Sequence, residues 1–243
     1  MEHILKVAVT AMLSGFLGIG LGALLGIAFK NISNRSFAFV LEISAGLMLS
    51  LVCFSLIPDA LNFSNIYIVF AGLFLGIAFV AFLQEKVYID LIKRKNTGYF
   101  TTGILTFVTL SVYNFSEGFA IGTGLDISRS FAISLLLIIL THDIPEGVAI
   151  SLPLRKSGVK TLIIGIITIV TGVFVGLGAF IGAYLGYISN DFMALFLSVV
   201  GGMMLYISLG DIIPQSKKIH KGRFATFGNC LGFLTGIVVS LVL

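Results

Sequence analysis

Charge is scarce in this chain. Asp, Glu, Lys and Arg make up 11% of its 243 residues, against 58% hydrophobic residues, and the mean hydropathy is +1.11. Soluble domains carry about 25% charged residues, so this composition excludes an ordinary water-soluble fold. Long polar connections are missing too, which leaves no place for a soluble domain between the apolar stretches. Those stretches run to about 20 residues each, the length that crosses a bilayer core. Eight are read, at 4–29, 37–57, 63–84, 100–124, 129–153, 159–186, 191–213 and 224–243. The expected fold is an all-α membrane protein of eight transmembrane helices, one domain over 1–243, multi-pass in the lipid bilayer of the cell membrane.

Other shortages narrow the function. Cys53 falls in the outer half of the second span and Cys230 near the cytoplasmic start of the eighth. Their different depths argue against a disulfide, and both read as buried, inert thiols. Of three histidines, His3 is terminal and His220 sits among Lys217, Lys218, Lys221 and Arg223, so only His142 lies within a span. An intramembrane zinc protease built on His-Glu-x-x-His needs two histidines, which argues against an enzyme. No Gly-x-x-x-x-Gly-Lys-Ser/Thr phosphate loop occurs. The first apolar stretch is too long for a signal-peptide core and lacks a small-residue cleavage site, so 4–29 is expected to stay as the first span.

The net charge of +4 and pI of 9.1 do not mark a nucleic-acid binder, because the basic residues are sorted. All 15 Lys and Arg except Lys6 and Arg129 fall in alternate connections: Lys30 and Arg35; Lys86 to Lys95; Arg155 to Lys160; Lys217 to Arg223. This positive-inside bias places both termini outside the cytoplasm.

What the chain does contain is concentrated in Thr141-His142-Asp143-Ile144-Pro145-Glu146-Gly147, following the apolar run Ile133 to Leu140. An Asp at the centre of a membrane helix costs roughly 2.5–3.5 kcal/mol, so a cation, a proton or a polar partner must compensate. His142 and Glu146, at i and i+4, share a helix face with Asp143 beside them. In the fourth span Asn114 and Glu117, at i and i+3, share another face. Packed side by side, the two helices would bring Asn114, Glu117, His142, Asp143 and Glu146 together, with a carbonyl freed by Pro145 nearby. Oxygen-rich coordination with one imidazole fits zinc, iron, manganese or cobalt better than copper. The residues point to divalent-metal transport. The alternative is a proton-coupled carrier or channel in which the carboxylates relay protons.

Two internal repeats accompany the motif. Asn114-Phe115-Ser116-Glu117-Gly118-Phe119-Ala120-Ile121 matches Asp143-Ile144-Pro145-Glu146-Gly147-Val148-Ala149-Ile150. Ala45-Gly46-Leu47-Met48-Leu49 with Ser55 to Pro58 matches Gly201-Gly202-Met203-Met204-Leu205 with Asp211 to Pro214. Each pair crosses the membrane in opposite directions on this topology, the inverted construction of many secondary transporters. Gly18, Gly22 and Gly26, and Gly178, Gly182 and Gly186, repeat every four residues as packing faces that would also permit a homodimer.

At these residues the chain resembles the ZIP family of divalent metal transporters, in particular its bacterial zinc/iron permeases. The family carries His-Asn-x-x-Glu-Gly in its fourth span and His-Asn-x-Pro-Glu-Gly in its fifth. Here Tyr113 replaces the first histidine and Asp143 the second asparagine. The resemblance covers the whole chain, including Met204 to Pro214 and Leu152-Pro153-Leu154-Arg155. It implies a 3+2+3 helix arrangement and import of divalent metal across the bacterial inner membrane without nucleotide hydrolysis. It also implies His142, Glu146 and Glu117 as principal ligands, with Asn114 and Asp143 completing the shell. Asp211 is a candidate on the exit side and Asp59 at the outer mouth, although solvated helix ends account for both equally well. Val175-Gly176 stands where some relatives have Glu-Pro, and the 85–99 loop is short and lacks histidine. One tight metal site without a metal-collecting loop is therefore expected.

Overall fold

The computed structural model describes residues 2–28, 32–93, 98–124, 129–185 and 189–242. The side chains at 88, 90–93, 124, 129–139, 141–142, 239 and 241–242 fall outside that description. Every element among the described residues is helical: α1 (Glu2–Ala28), α2 (Asn34–Phe63), α3 (Ile66–Lys93), α4 (Tyr99–Gly124), α5 (Arg129–Lys156), α6 (Thr161–Leu185), α7 (Asn190–Ile219) and α8 (Arg223–Val242). Among the described residues six segments are long and apolar enough to cross a membrane: α1, α2, α3 as far as Val87, α4 as far as Thr123, α6 and α7. The chain is a multi-pass membrane protein.

Size is sorted inside-out relative to a soluble core. Along α1 the large residues Leu5, Leu13, Leu17, Leu21 and Leu24 are exposed, while Ala8, Ala11, Gly15, Gly18 and Gly22 are buried. Lipid solvates leucine as well as a protein interior does, so helix association comes from close backbone approach over small residues.

Several element limits differ from those read in the sequence. The helix α3 continues to Lys93 instead of ending near 84. Gln84, Glu85 and Lys86 are good helix formers, and Gln84 Nε2 donates to Thr109 Oγ1 of α4 at 3.1 Å, which anchors that stretch. The helices α2 and α7 run through Pro58 and Pro214, and in each a π-helical segment comes immediately before: Val52–Leu56 in α2 and Ile207–Ile212 in α7. The proline then falls in the first turn of the helix that resumes, where its missing N–H is least costly. Cys53 and Cys230 are exposed rather than buried. In a membrane protein a small apolar thiol is tolerated on the outward face as easily as inside.

The chain divides into two compact units, Met1–Lys30 with Phe82–Tyr187, and Asn31–Ala81 with Ile188–Leu243. Within the second unit, positions separated by the same interval have matching local settings. The separation of Pro58 from Pro214 recurs between the N-caps Ser33 and Ser189, whose side chains accept from Ser36 N and Phe192 N. It recurs between the C-caps Ser64 and His220, whose amides bond to Ala60 O and Ser216 O. It also governs helix contacts. Gly72 and Gly76 of α3 lie against Leu195 and Val199 of α7, and their counterparts Gly228 and Gly232 of α8 lie against Phe39 and Ile43 of α2.

In the first unit Gly22 and Gly178 are separated by the same interval. Gly22 of α1 lies against Ile144 and Gly147 of α5, while Gly178 of α6 lies against Phe115 and Phe119 of α4. Both expected glycine faces are thus packing faces, apart from Gly186, which lies outside the described residues. The chain leaves α5 through Gly158, whose φ of 91° places it in the left-handed region. Val159 N bonds to Leu154 O and Gly158 N to Arg155 O, closing a Schellman motif.

Candidate metal site

The first unit carries an unusual density of buried polar groups. Tyr113 and Asn114 of α4 and Asp143 and Glu146 of α5 are all 0% exposed, and Glu117 of α4 is 5% exposed. The Tyr113 hydroxyl donates to Glu117 Oε1 one helical turn away. Glu117, Glu146 and Asp143 all lie within electrostatic reach of that phenol, in that order of influence. Acidic groups of both motif helices thus act on one aromatic side chain. Burying a carboxylate is expensive unless positive charge, a proton or hydrogen bonds compensate.

Asn114 adds a second sign. Among the described residues neither its Oδ1 nor its Nδ2 has a hydrogen-bond partner. Leaving a buried amide unsatisfied costs about 1–3 kcal/mol per group. A buried amide of this kind, on the helix face that carries Glu117, is a candidate ligand.

The glycines around the motif explain how the helices come so close. A Cβ added at Gly18 of α1 would collide with the Asp143 side chain, 3.1 Å from Oδ2, so Gly18 makes the space that Asp143 fills. Gly147, next to Glu146, presses on the α1 backbone at Ile19 and Ala23. Gly118, next to Glu117, presses on the α6 backbone at Val175 and Ala179. The glycine following each glutamate therefore has a packing reason. Gly18, read in the sequence as part of a packing face, and Gly118 and Gly147, the glycines of the duplicated Glu-Gly pair, support the site by letting the helices approach.

Not every expected residue joins the cluster. His142 lies on α5 next to Asp143, but its side chain lies outside the described residues. Among the described residues no three His, Cys, Asp or Glu side chains form a group placed to hold a metal ion. Asp59 and Asp211 are half-buried and belong to the second unit, Asp211 within the π-helical segment of α7. Val175 is fully buried; its Cγ2 lies 2.9 Å from where a Gly15 Cβ would stand, making an apolar contact with α1. Sequence reasoning missed a further buried carboxylate, Glu42 of α2, which is 1% exposed.

A helical membrane protein with acidic and amide groups buried between duplicated helices is the class defined here. The family model for the ZIP Zinc transporter matches residues 90–243, and the chain belongs to that family. It is similar to Zinc transporter ZupT of Streptococcus mutans, 26% identical over 263 residues that cover 100% of this chain and 98% of that protein. Zinc transporter ZupT of Corynebacterium glutamicum is 27% identical over 252 residues, 93% of this chain and 95% of that protein. Zinc transporter GufA of Myxococcus xanthus is 26% identical over 181 residues, 71% of this chain and 70% of that protein.

Proposed function

We propose that this protein imports divalent transition-metal ions, zinc foremost and iron, manganese or cobalt in addition, into the cytoplasm of a bacterial cell. The metal is the cargo. His142, Glu146 and Glu117 serve as principal ligands, Asn114 and Asp143 complete the shell, and Asp59 and Asp211 serve the approach and the exit. All of 1–243 acts as one transporter domain of eight spans in a 3+2+3 inverted repeat, with both termini outside.

The observation that carries this reading is the burial of Glu117, Asp143 and Glu146 around Tyr113, with the Asn114 amide unsatisfied beside them. Carboxylates at such depth are functional by default in a membrane. The matched helix contacts in each unit support the inverted repeat, a construction that places transported ions near the repeat interface.

The test is uptake of radiolabelled zinc into proteoliposomes containing an internal pH dye. Wild-type protein should accumulate zinc above protein-free vesicles, and Glu146→Ala should reduce uptake to that background. Full-rate uptake by a folded Glu146→Ala protein overturns the site. Proton flux without zinc flux would select the proton-relay alternative.

A further inference from the structure

The two motif helices are copies of one another, and the copies differ at one chemically decisive position. Gly118 and Gly147 make equivalent contacts with α6 and α1, at positions Val175 and Ala179 on one side and Ile19 and Ala23 on the other. This fixes the alignment of Tyr113-Asn114-Phe115-Ser116-Glu117-Gly118 with His142-Asp143-Ile144-Pro145-Glu146-Gly147. Tyr113 is therefore the counterpart of His142. One copy carries a histidine four residues before its glutamate, and the other a tyrosine.

That phenol is no passive filler. It is fully buried, donates to Glu117 Oε1, and has the Glu146 and Asp143 carboxylates within electrostatic reach. We propose that Tyr113 is a specificity-determining residue of the transport site. It withholds a second nitrogen donor and engages one oxygen of Glu117. The proposal rests on the metal-transport reading above and deepens it.

The consequence follows from ligand preference. Imidazole nitrogen favours zinc, whereas carboxylate and amide oxygens suit manganese and other harder divalent ions. A site with two imidazoles would hold zinc far more tightly than manganese. With one imidazole replaced by a hydrogen-bonded phenol the gap narrows, and manganese and ferrous iron become competitive cargo.

The experiment measures initial uptake of radiolabelled Zn²⁺ and Mn²⁺ into proteoliposomes, for the wild type, Tyr113→His and Tyr113→Phe. In the wild type, Mn²⁺ at about tenfold excess should compete visibly with zinc uptake. Tyr113→His should shift the zinc-to-manganese kcat/KM ratio toward zinc by about tenfold or more, within the 10–100-fold range over which changes around a metal's ligands act. Tyr113→Phe removes the hydroxyl without adding nitrogen, so its ratio should not move toward zinc. A core-filling role would alter protein yield and melting but would leave the ratio fixed.

An unchanged ratio in an actively transporting Tyr113→His protein overturns the inference. So does an equal shift in Tyr113→Phe. If Tyr113→His does not fold, wild-type protein still decides, because no manganese competition at about hundredfold excess is incompatible with a softened preference. Failure of the transport reading looks different: wild-type uptake no higher than in protein-free vesicles, which overturns both.

Discussion

Lys217 of α7 holds its ammonium nitrogen 3.0 Å from Oε1 of Glu42 on α2, a carboxylate that is almost wholly buried while the lysine stays 40% exposed. Ser216 Oγ lies 3.1 Å from the same oxygen, and Asn229 of α8 donates to the Glu42 carbonyl at 3.3 Å. Three helices of the second unit are thereby tied at one point. The repeat does not duplicate this tie: the counterparts of Glu42, Ser216 and Lys217 are Ser198, Ala60 and Leu61. A charge pair therefore distinguishes one half of an otherwise matched pair of helices.

Removing the lysine would leave Glu42 buried without its cation. Lys217→Met is expected to lower stability by less than the roughly 3–5 kcal/mol typical of breaking a fully buried pair, because water reaches the lysine end. Adding Glu42→Gln should recover part of the loss by removing the stranded charge. Melting of the single and double variants in detergent checks both parts. A Lys217→Met protein melting with the wild type would show that the tie adds nothing.

Glycine substitutions separate packing from mere flexibility. A Cβ at Gly22 meets the α5 backbone at Ile144 and Gly147, whereas one at Gly20, two residues away, meets nothing within 4 Å. Gly22→Ala should cost about 1–3 kcal/mol through overpacking. Gly20→Ala should stabilise by up to about 1 kcal/mol through helix propensity. Opposite signs in a thermal melt are the expected result; equal destabilisation would mean that the α1–α5 contact does not set the cost.

Asn114 sets stability against function. Replacing its unsatisfied amide by an isosteric apolar group removes a desolvation penalty, so Asn114→Leu should melt at or above the wild-type temperature. If the amide completes the metal's shell, the same variant should lose zinc uptake. A more stable but inactive protein is the signature of a strained functional site. Retained uptake would remove Asn114 from the ligand set.

Part of this arrangement was legible in the chain itself. Asp143 and Glu146 stand out because charge inside an apolar run requires compensation, and the stripe from Gly18 to Gly26 because small residues one turn apart define a face. The helix ends near Pro58 and Pro214 were not legible: proline normally stops a helix, and only the preceding π-helical segments carry these two onward. Glu42 was hidden because its partners Ser216 and Lys217 are far away in sequence. The constant spacing that pairs Gly22 with Gly178 and Gly72 with Gly228 was present throughout. Without contacts, however, scattered glycines in apolar helices carry too little information to reveal it.

Membrane orientation gives the last prediction. All but two of the lysines and arginines lie in alternate connections, and the positive-inside rule then predicts those connections to be cytoplasmic. The native thiols face outward from helices, Cys53 from α2 and Cys230 from α8, so Cys53→Ser with Cys230→Ser should give a folded, unlabelled background. On it, Lys6→Cys should react with a membrane-impermeant maleimide added outside intact cells. Lys160→Cys, in the connection between α5 and α6, should react only after the membrane is opened. The inverted-repeat proposal requires the two positions to label from opposite sides, and the placement of both termini outside requires in addition that Lys6 be the outer one. Labelling of both cysteines from outside would break the topology, and with it the assignment of Asp59 to the outer mouth.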